Sequence, residues 1–187
     1  FRPVPLAAGG VDTALLEREL SAAPVRLYYA VPNFQNPSGI TYDGPTRRAA
    51  AAILRRTQTV LVEDDPYGEL RFLGESQPSF ATLLENRCVL LGTFSKIVAP
   101  AFRIGWLVAR GELMEKLLIA KQASDLHTNS LGQRIIAQYL ADNRIDDHIA
   151  RIRRAYGRQR DAMVAAIRRS FPAGVTCTEP EGGMFLR

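Results

Sequence analysis

Lysine is scarce in this chain. Of its 24 basic residues only Lys96, Lys116 and Lys121 are lysine, and the rest are arginine. Cysteine is scarcer still: Cys88 and Cys177 stand far apart with no CxxC pair, which argues against a zinc site or a disulfide framework. No apolar run is long enough to span a bilayer, and the opening FRPVPLAAGG lacks the basic start and long apolar stretch of a signal peptide. A cytoplasmic protein with no membrane partner is therefore expected. Nothing repeats internally and no segment is of low complexity.

What is present is the material for a packed core. With 187 residues, 47% hydrophobic and 23% charged, the chain can bury a substantial interior. The net charge of +5 comes mainly from arginines between 151 and 169, a stretch with Ile145, Ile149, Ile152, Tyr156, Met163 and Ile167 at helical spacing. Those six predict the buried stripe of a long helix whose arginines face water, so no nucleic-acid partner is expected. Lys116 and Lys121 fall on ELMEKLLIAKQ, an amphipathic stretch where a solvated role suffices.

Short apolar runs alternating with longer amphipathic ones predict an α/β fold with a mostly parallel sheet. The strand candidates are VRLYYA at 25–30, TVLVEDD at 59–65, CVLLGTF at 88–94 and RIGWLVA at 103–109. The alanine-rich segment 41–56 predicts a helix opened by turn chemistry at Asp43, Gly44 and Pro45. Three more helices are expected at 112–122, about 129–141 and about 144–170, with Leu131, Ile135, Ile136, Tyr139 and Leu140 on the apolar side of the second. The closing VTCTEPEGGMFLR reads as strand, turn, strand. The expected division is a large domain over 1–143 and, over 144–187, a connecting helix and the start of a smaller α+β domain.

Polar residues crowd the C-terminal ends of three strands, the edge where open α/β sheets bind ligands. Asn36-Pro37-Ser38-Gly39 follows the first, Glu63-Asp64-Asp65-Pro66-Tyr67 ends the second and Thr93-Phe94-Ser95-Lys96 ends the third. Lys96 leaves a run that must be buried; burial disfavours a charged amine and makes it a usable nucleophile, a role arginine cannot fill. A strand-end lysine reaching solvent is the plainer alternative. Thr93, Ser95 and Arg103 offer two hydroxyls and a planar guanidinium, donors suited to a phosphate monoester. A nucleotide P-loop is excluded, because Ser95 precedes Lys96 and Ile97 follows it. Asp64 could keep a pyridine nitrogen protonated, and Asn36 and Tyr67 could hydrogen-bond a ring hydroxyl. Taken singly, each is equally an ordinary turn or core residue.

PNFQNPSG, EDDPYGELRF and GTFSKIVAPAFRIGW together resemble the large-domain signatures of fold-type I, class I/II aminotransferases. The nearest subgroup is the 2-aminoadipate and kynurenine aminotransferases, which SDLHTNSLGQ and PEGGMF also resemble. The resemblance implies a three-layer α/β/α large domain, pyridoxal 5'-phosphate as cofactor, amino acid and 2-oxo acid substrates, and a homodimer. It makes Lys96 the Schiff-base lysine and proton shuttle, and pairs Asp64 with the pyridine nitrogen. Asn36 and Tyr67 would contact the ring oxygen; Thr93, a threonine where serine is usual, would hold the phosphate with Ser95 and Arg103. By the same resemblance His127 and Asn129 would lie near the site, neither being assigned a contact there; a helix-capping role is expected for Asn129.

The family's enzymes carry further segments before the region matching Phe1 and beyond that matching Arg187, including a ring-stacking aromatic and a carboxylate-binding arginine. A fragment is therefore expected. A second reading is the cofactor-binding effector domain of a GntR/MocR-type transcription regulator. Phe34-Gln35-Asn36 and Asp64-Asp65-Pro66-Tyr67 depart from the patterns of those regulators and favour the enzyme. A third keeps the cofactor and changes the reaction to decarboxylation or another lyase chemistry.

Overall fold

A computed structural model describes residues 1–187. A two-residue hairpin, β1 (Leu6–Ala7) and β2 (Gly10–Val11), leads into α1 (Thr13–Ala22), whose first turn is capped by the Asp12 carboxylate accepting from Leu15 N at 2.9 Å. Then follow β3 (Leu27–Ala30), α2 (Gly44–Arg55), β4 (Val60–Asp64), the short α3 (Phe80–Leu84), β5 (Cys88–Thr93) and β6 (Gly105–Val108). Three helices close the chain: α4 (Gly111–Asp125), α5 (Ser130–Asp142) and α6 (Ile145–Ser170). As expected, Asp43 caps α2, with Thr46 N donating to it at 2.7 Å, Pro45 sits in the first turn, and Asn129 caps α5.

The four-stranded sheet has the order β3-β4-β5-β6, parallel across the first two pairings and antiparallel across the last. Because successive side chains alternate, the register assigns Tyr28, Ala30, Leu61, Glu63 and Cys88 to one face and Leu27, Tyr29, Val62, Asp64, Leu91 and Leu107 to the other. The first face carries the main core: Ala30, Leu61 and Cys88 pack with Leu16 of α1, Ala50, Ala51 and Leu54 of α2, and Phe80 and Leu84 of α3. The small alanines let α2 approach the sheet closely. Leu27, Tyr29 and Leu107 on the opposite face are exposed.

At the β5–β6 pairing Gly92 stands opposite Trp106, and a Cβ on Gly92 would lie 2.1 Å from the indole ring. Only glycine lets that ring lie against the strand.

The expected burial of the later helices holds in part. On α5 Ile136 is buried, but Leu131 is 67% exposed and Ile135 and Leu140 are exposed as well. On α6 Ile149 and Val164 are buried, Ile152 and Tyr156 pack on Phe34, Tyr67 and Leu70, and Met163 is exposed. The arginines of α6 lie mainly toward water, and Lys116 and Lys121 pair with Glu112 and Asp125 one turn away. The C-terminal segment departs from expectation: residues 171–187 form no strand. One bridge joins Gly182 to Arg71, and Thr178 N donates to Arg187 O at 2.7 Å. The backbone groups there turn outward to the 70–73 segment, with Gly183 N donating to Leu70 O and Glu181 O accepting from Phe72 N and Leu73 N, which leaves too few for a local ladder.

Candidate active site

Asp64 ends β4 opposite Leu91 of β5, and Thr93 ends β5 opposite Gly105 of β6. Two parallel strands thus deliver a carboxylate and a hydroxyl to the same sheet edge. Beyond Thr93 the chain turns tightly: Phe94 O accepts from Val98 N at 2.8 Å and from Ala99 N at 3.1 Å, with Lys96 inside the turn. A single helical turn at Pro100–Phe102 follows, and Arg103 adopts a left-handed conformation (φ 55°) that returns the chain into β6. Phe94 N donates to Ile104 O at 3.1 Å, so the antiparallel pairing continues and brings Ser95 and Arg103 to the two sides of the hairpin mouth.

Thr93, Ser95, Lys96 and Arg103 therefore share one tip, beside the end of the strand that carries Asp64. Ser95 N donates to Thr93 Oγ1 at 3.0 Å, and Arg103 is exposed with one guanidinium nitrogen donating to Pro100 O at 3.2 Å. Lys96 is half-buried, not desolvated as its strand predicts: only Cys88 and Val89 of β5 are buried and the rest of that run is half-exposed.

Asp64 accepts a hydrogen bond from the Tyr29 hydroxyl at Oδ2, leaving Oδ1 without a protein partner. Burial, and then the bond to Asp64, pushes the Tyr29 phenol well above the usual tyrosine range. Asp64 also forms a polar wall of a cleft of about 570 Å³ lined by Leu91, Trp106, Leu107, Met114 and Leu118. A larger cavity, about 880 Å³, lies between the N-terminal segment, α1 and β3, and is lined mostly by apolar groups.

Tyr67 is buried, its ring edge-on to Phe185 at 5.5 Å, in a cluster with Phe34 and Leu70. Asn36 is exposed in the loop after β3, which Gly39 N closes onto Gln35 O at 2.6 Å and Ser38 Oγ onto Gln35 Oε1 at 2.6 Å. His127 is exposed and lies in the α4–α5 connection.

Beneath these loops lies a polar group that sequence reasoning did not single out. Arg47 and Glu63 are fully buried, with Arg47 Nη1 3.6 Å from Glu63 Oε1. The Ser79 hydroxyl donates to Glu63 Oε2 at 2.5 Å. Burial pushes the Glu63 and Asp65 carboxyls above the usual range, against the pull of Ser79 and Arg47 on Glu63 and of Asn33 on Asp65. Asn33 and Arg47 meet these acids, and Tyr29 meets Asp64, only through the parallel register and the return of α2.

The profile of the family described as aminotransferase class I and II matches residues 1–187. The chain belongs to this family. It is 42% identical to "Aromatic-amino-acid aminotransferase 1" of Thermococcus litoralis, over all of this chain and 46% of that protein. A crystal structure of LysN, an alpha-aminoadipate aminotransferase of Thermus thermophilus complexed with N-(5'-phosphopyridoxyl)-L-leucine, superposes with a TM-score of 0.93 at 36% identity. It covers all of this chain and 49% of that one. A more distant relative, the HTH-type transcriptional regulator YisV of Bacillus subtilis, is 31% identical over all of this chain and 39% of that protein. The chain thus spans about half the length of the curated aminotransferases it matches. Its mostly parallel α/β sheet agrees with these neighbours and with the sequence reading.

The donor set suits a phosphorylated pyridine aldehyde. An amine, two hydroxyls and a guanidinium share the hairpin tip, and the neighbouring strand ends in a carboxylate with one oxygen unpartnered by protein.

Proposed function

We propose that the intact protein is a pyridoxal-phosphate-dependent aminotransferase, moving an amino group from an α-amino acid to a 2-oxo acid. What supports this reading is that two adjacent strands end in the complementary groups: β4 in Asp64, whose Oδ1 has no protein partner, and β5 in the turn that carries Thr93, Ser95 and Lys96, with Arg103 leading back into β6. The bound cofactor supplies the electron sink. Lys96 offers its amine for a Schiff base, then holds and returns the proton at the substrate α-carbon. Asp64 would pair with the ring nitrogen, and the Tyr29 hydroxyl donating to Oδ2 orients the carboxylate so that Oδ1 is left for that contact. Thr93, Ser95 and Arg103 would hold the phosphate as hydrogen-bond donors, and Asn36 and Tyr67 would contact the ring oxygen.

The ligand in the LysN structure supports the cofactor assignment, and the names of the relatives support an aromatic or 2-aminoadipate-like donor. The regulator-like relative also matches over all of this chain, but its identity is lower, and the Phe34-Gln35-Asn36 and Asp64-Asp65-Pro66-Tyr67 segments favour the enzyme. A homodimer and a cytoplasmic location belong to the same proposal, as does the division of the chain at 143/144. The exposed apolar residues of β6, α4 and α5 give a dimer or a further segment a surface to cover. No helix is long and apolar enough to cross a membrane.

The test is reduction of the intact protein with borohydride in the presence of pyridoxal phosphate, followed by peptide mapping. Label on Lys96 alone is expected; label on Lys116 or Lys121, or none, overturns the assignment.

A further inference from the structure

The helix between β3 and β4 carries a cation in the interior. Arg47 is fully buried on α2, and its guanidinium makes four hydrogen bonds, none of them to a carboxylate. Nε donates to Tyr42 O at 2.9 Å, Nη1 to Pro78 O at 2.9 Å, and Nη2 to Pro32 O at 3.0 Å and to the Asn33 side-chain oxygen at 2.6 Å. Pro32 and Tyr42 are the two ends of the loop that presents Asn36, and Tyr42 N donates to Pro32 O at 2.8 Å. A single planar group therefore clamps both ends of that loop. The Asn33 amide also pulls on the Asp65 carboxyl against its burial, and Asp65 Oδ1 accepts from Gly68 N at 2.8 Å. This extends the connection to the exit of β4, one residue beyond Asp64 and two before Tyr67.

Burying a charge is costly, and an apolar side chain would fasten α2 to the sheet at least as well. What an apolar side chain cannot do is fix the direction of three carbonyls and an amide. The five-donor guanidinium does this because its donors are coplanar and fixed in angle.

We infer that Arg47 is a positioning residue of the candidate site: through Asn33 and Asp65 it holds the loop bearing Asn36 and the strand end bearing Asp64 in one fixed relation. The inference rests on the cofactor reading proposed above for Asn36 and Asp64.

The test uses the intact protein loaded with pyridoxal phosphate and the variants Arg47→Met, Asn33→Ala, the two combined, and Ser79→Ala. Arg47→Met keeps the volume and removes the clamp. Asn33→Ala leaves the three carbonyl bonds of Arg47 in place and is the variant to rely on if Arg47→Met does not fold. Ser79→Ala weakens the Glu63 side of the buried group without touching the line to Asp65. Cofactor loss on dilution, followed by visible absorbance where every variant is folded, should quicken roughly tenfold or more in Arg47→Met and Asn33→Ala, the worth of one hydrogen bond to a charged group. The combined variant should be no worse than the worse single one, and kcat should fall with little change in KM. Ser79→Ala should lower the unfolding midpoint and leave cofactor loss unchanged.

Amide exchange across 33–38 and 64–67 in cofactor-free protein should also quicken in Arg47→Met and Asn33→Ala. Equal cofactor loss and equal exchange in all variants would overturn the inference and leave the arginine a structural anchor. If wild type itself binds no pyridoxal phosphate, the functional proposal fails, and the exchange data alone still decide whether Arg47 orders the two loops.

Discussion

Replacing Gly182 with alanine tests how firmly the C-terminal segment is keyed to the loop that presents Asn36. A Cβ at this position would lie 2.3 Å from Phe34 Cζ, 2.5 Å from Cε2 and 2.8 Å from the backbone of Arg71. None of these can yield cheaply. Phe34 is 1% exposed, the Arg71 guanidinium sits 4.8 Å from its ring centroid, and Arg71 is itself held by Glu181 at 2.5 Å. Overpacking of this kind costs about 1–3 kcal/mol. For a chain of this size that corresponds to a drop of roughly 2–12 °C in Tm. The assay is denaturant unfolding of wild type, Gly182→Ala, Phe34→Leu and the double variant. Leucine removes the ring carbons that meet the new methyl, so the double variant should be more stable than the sum of the single effects by about 1 kcal/mol. A neutral Gly182→Ala, or effects that simply add, would refute the contact as the cause.

Tyr29→Phe should shorten cofactor retention a few-fold, as the retention assay above would show, while unfolding free energy stays within about 0.5 kcal/mol because the ring is 53% exposed. A larger stability loss with unchanged retention would mean the hydroxyl serves the fold and not Asp64. Burial, and then the nearby Glu63, push the Cys88 thiol up to about 12, so at pH 8 a thiol reagent should label native protein at Cys177 and reach Cys88 only after unfolding. The folded form holds this proton more tightly than the unfolded one, whose ordinary value is 9.0, so the thiol's contribution is complete below 9.0 and is lost as pH rises toward about 12. Equal native labelling of both cysteines would contradict the burial. Asp43→Ala removes the cap of α2 and should cost about 1 kcal/mol in denaturant unfolding, with Asp43→Asn recovering most of it.

The four strands and the four helices expected from periodicity all form, with ends shifted by a few residues, because each has enough apolar repeats to mark its own face. α1 was not legible: Leu16 is its only buried residue, too little for a periodic signal. The C-terminal strands were over-read because alternation says nothing of a pairing partner, and this segment gives its backbone bonds to residues 70–73 instead. Burial of Leu131, Ile135 and Met163 was over-read for a related reason, since an apolar stripe marks a face that wants cover, not the cover itself. At the site, residues that end strands were legible because strand ends are where polar groups interrupt apolar runs. Arg47 was not, because among arginines on an alanine-rich helix nothing local tells the buried one from the solvated Arg48. Its role depends on acceptors contributed by Pro32, Tyr42 and Pro78.

The indole laid against Gly92 has a practical consequence. Trp106 is the only tryptophan in the chain, it is 41% exposed, and it covers the strand one residue before Thr93. Intrinsic emission is therefore a single-site signal from the threshold of the hairpin tip. A chromophore settling on Lys96 would dim it by energy transfer, so occupancy can be followed without any added dye.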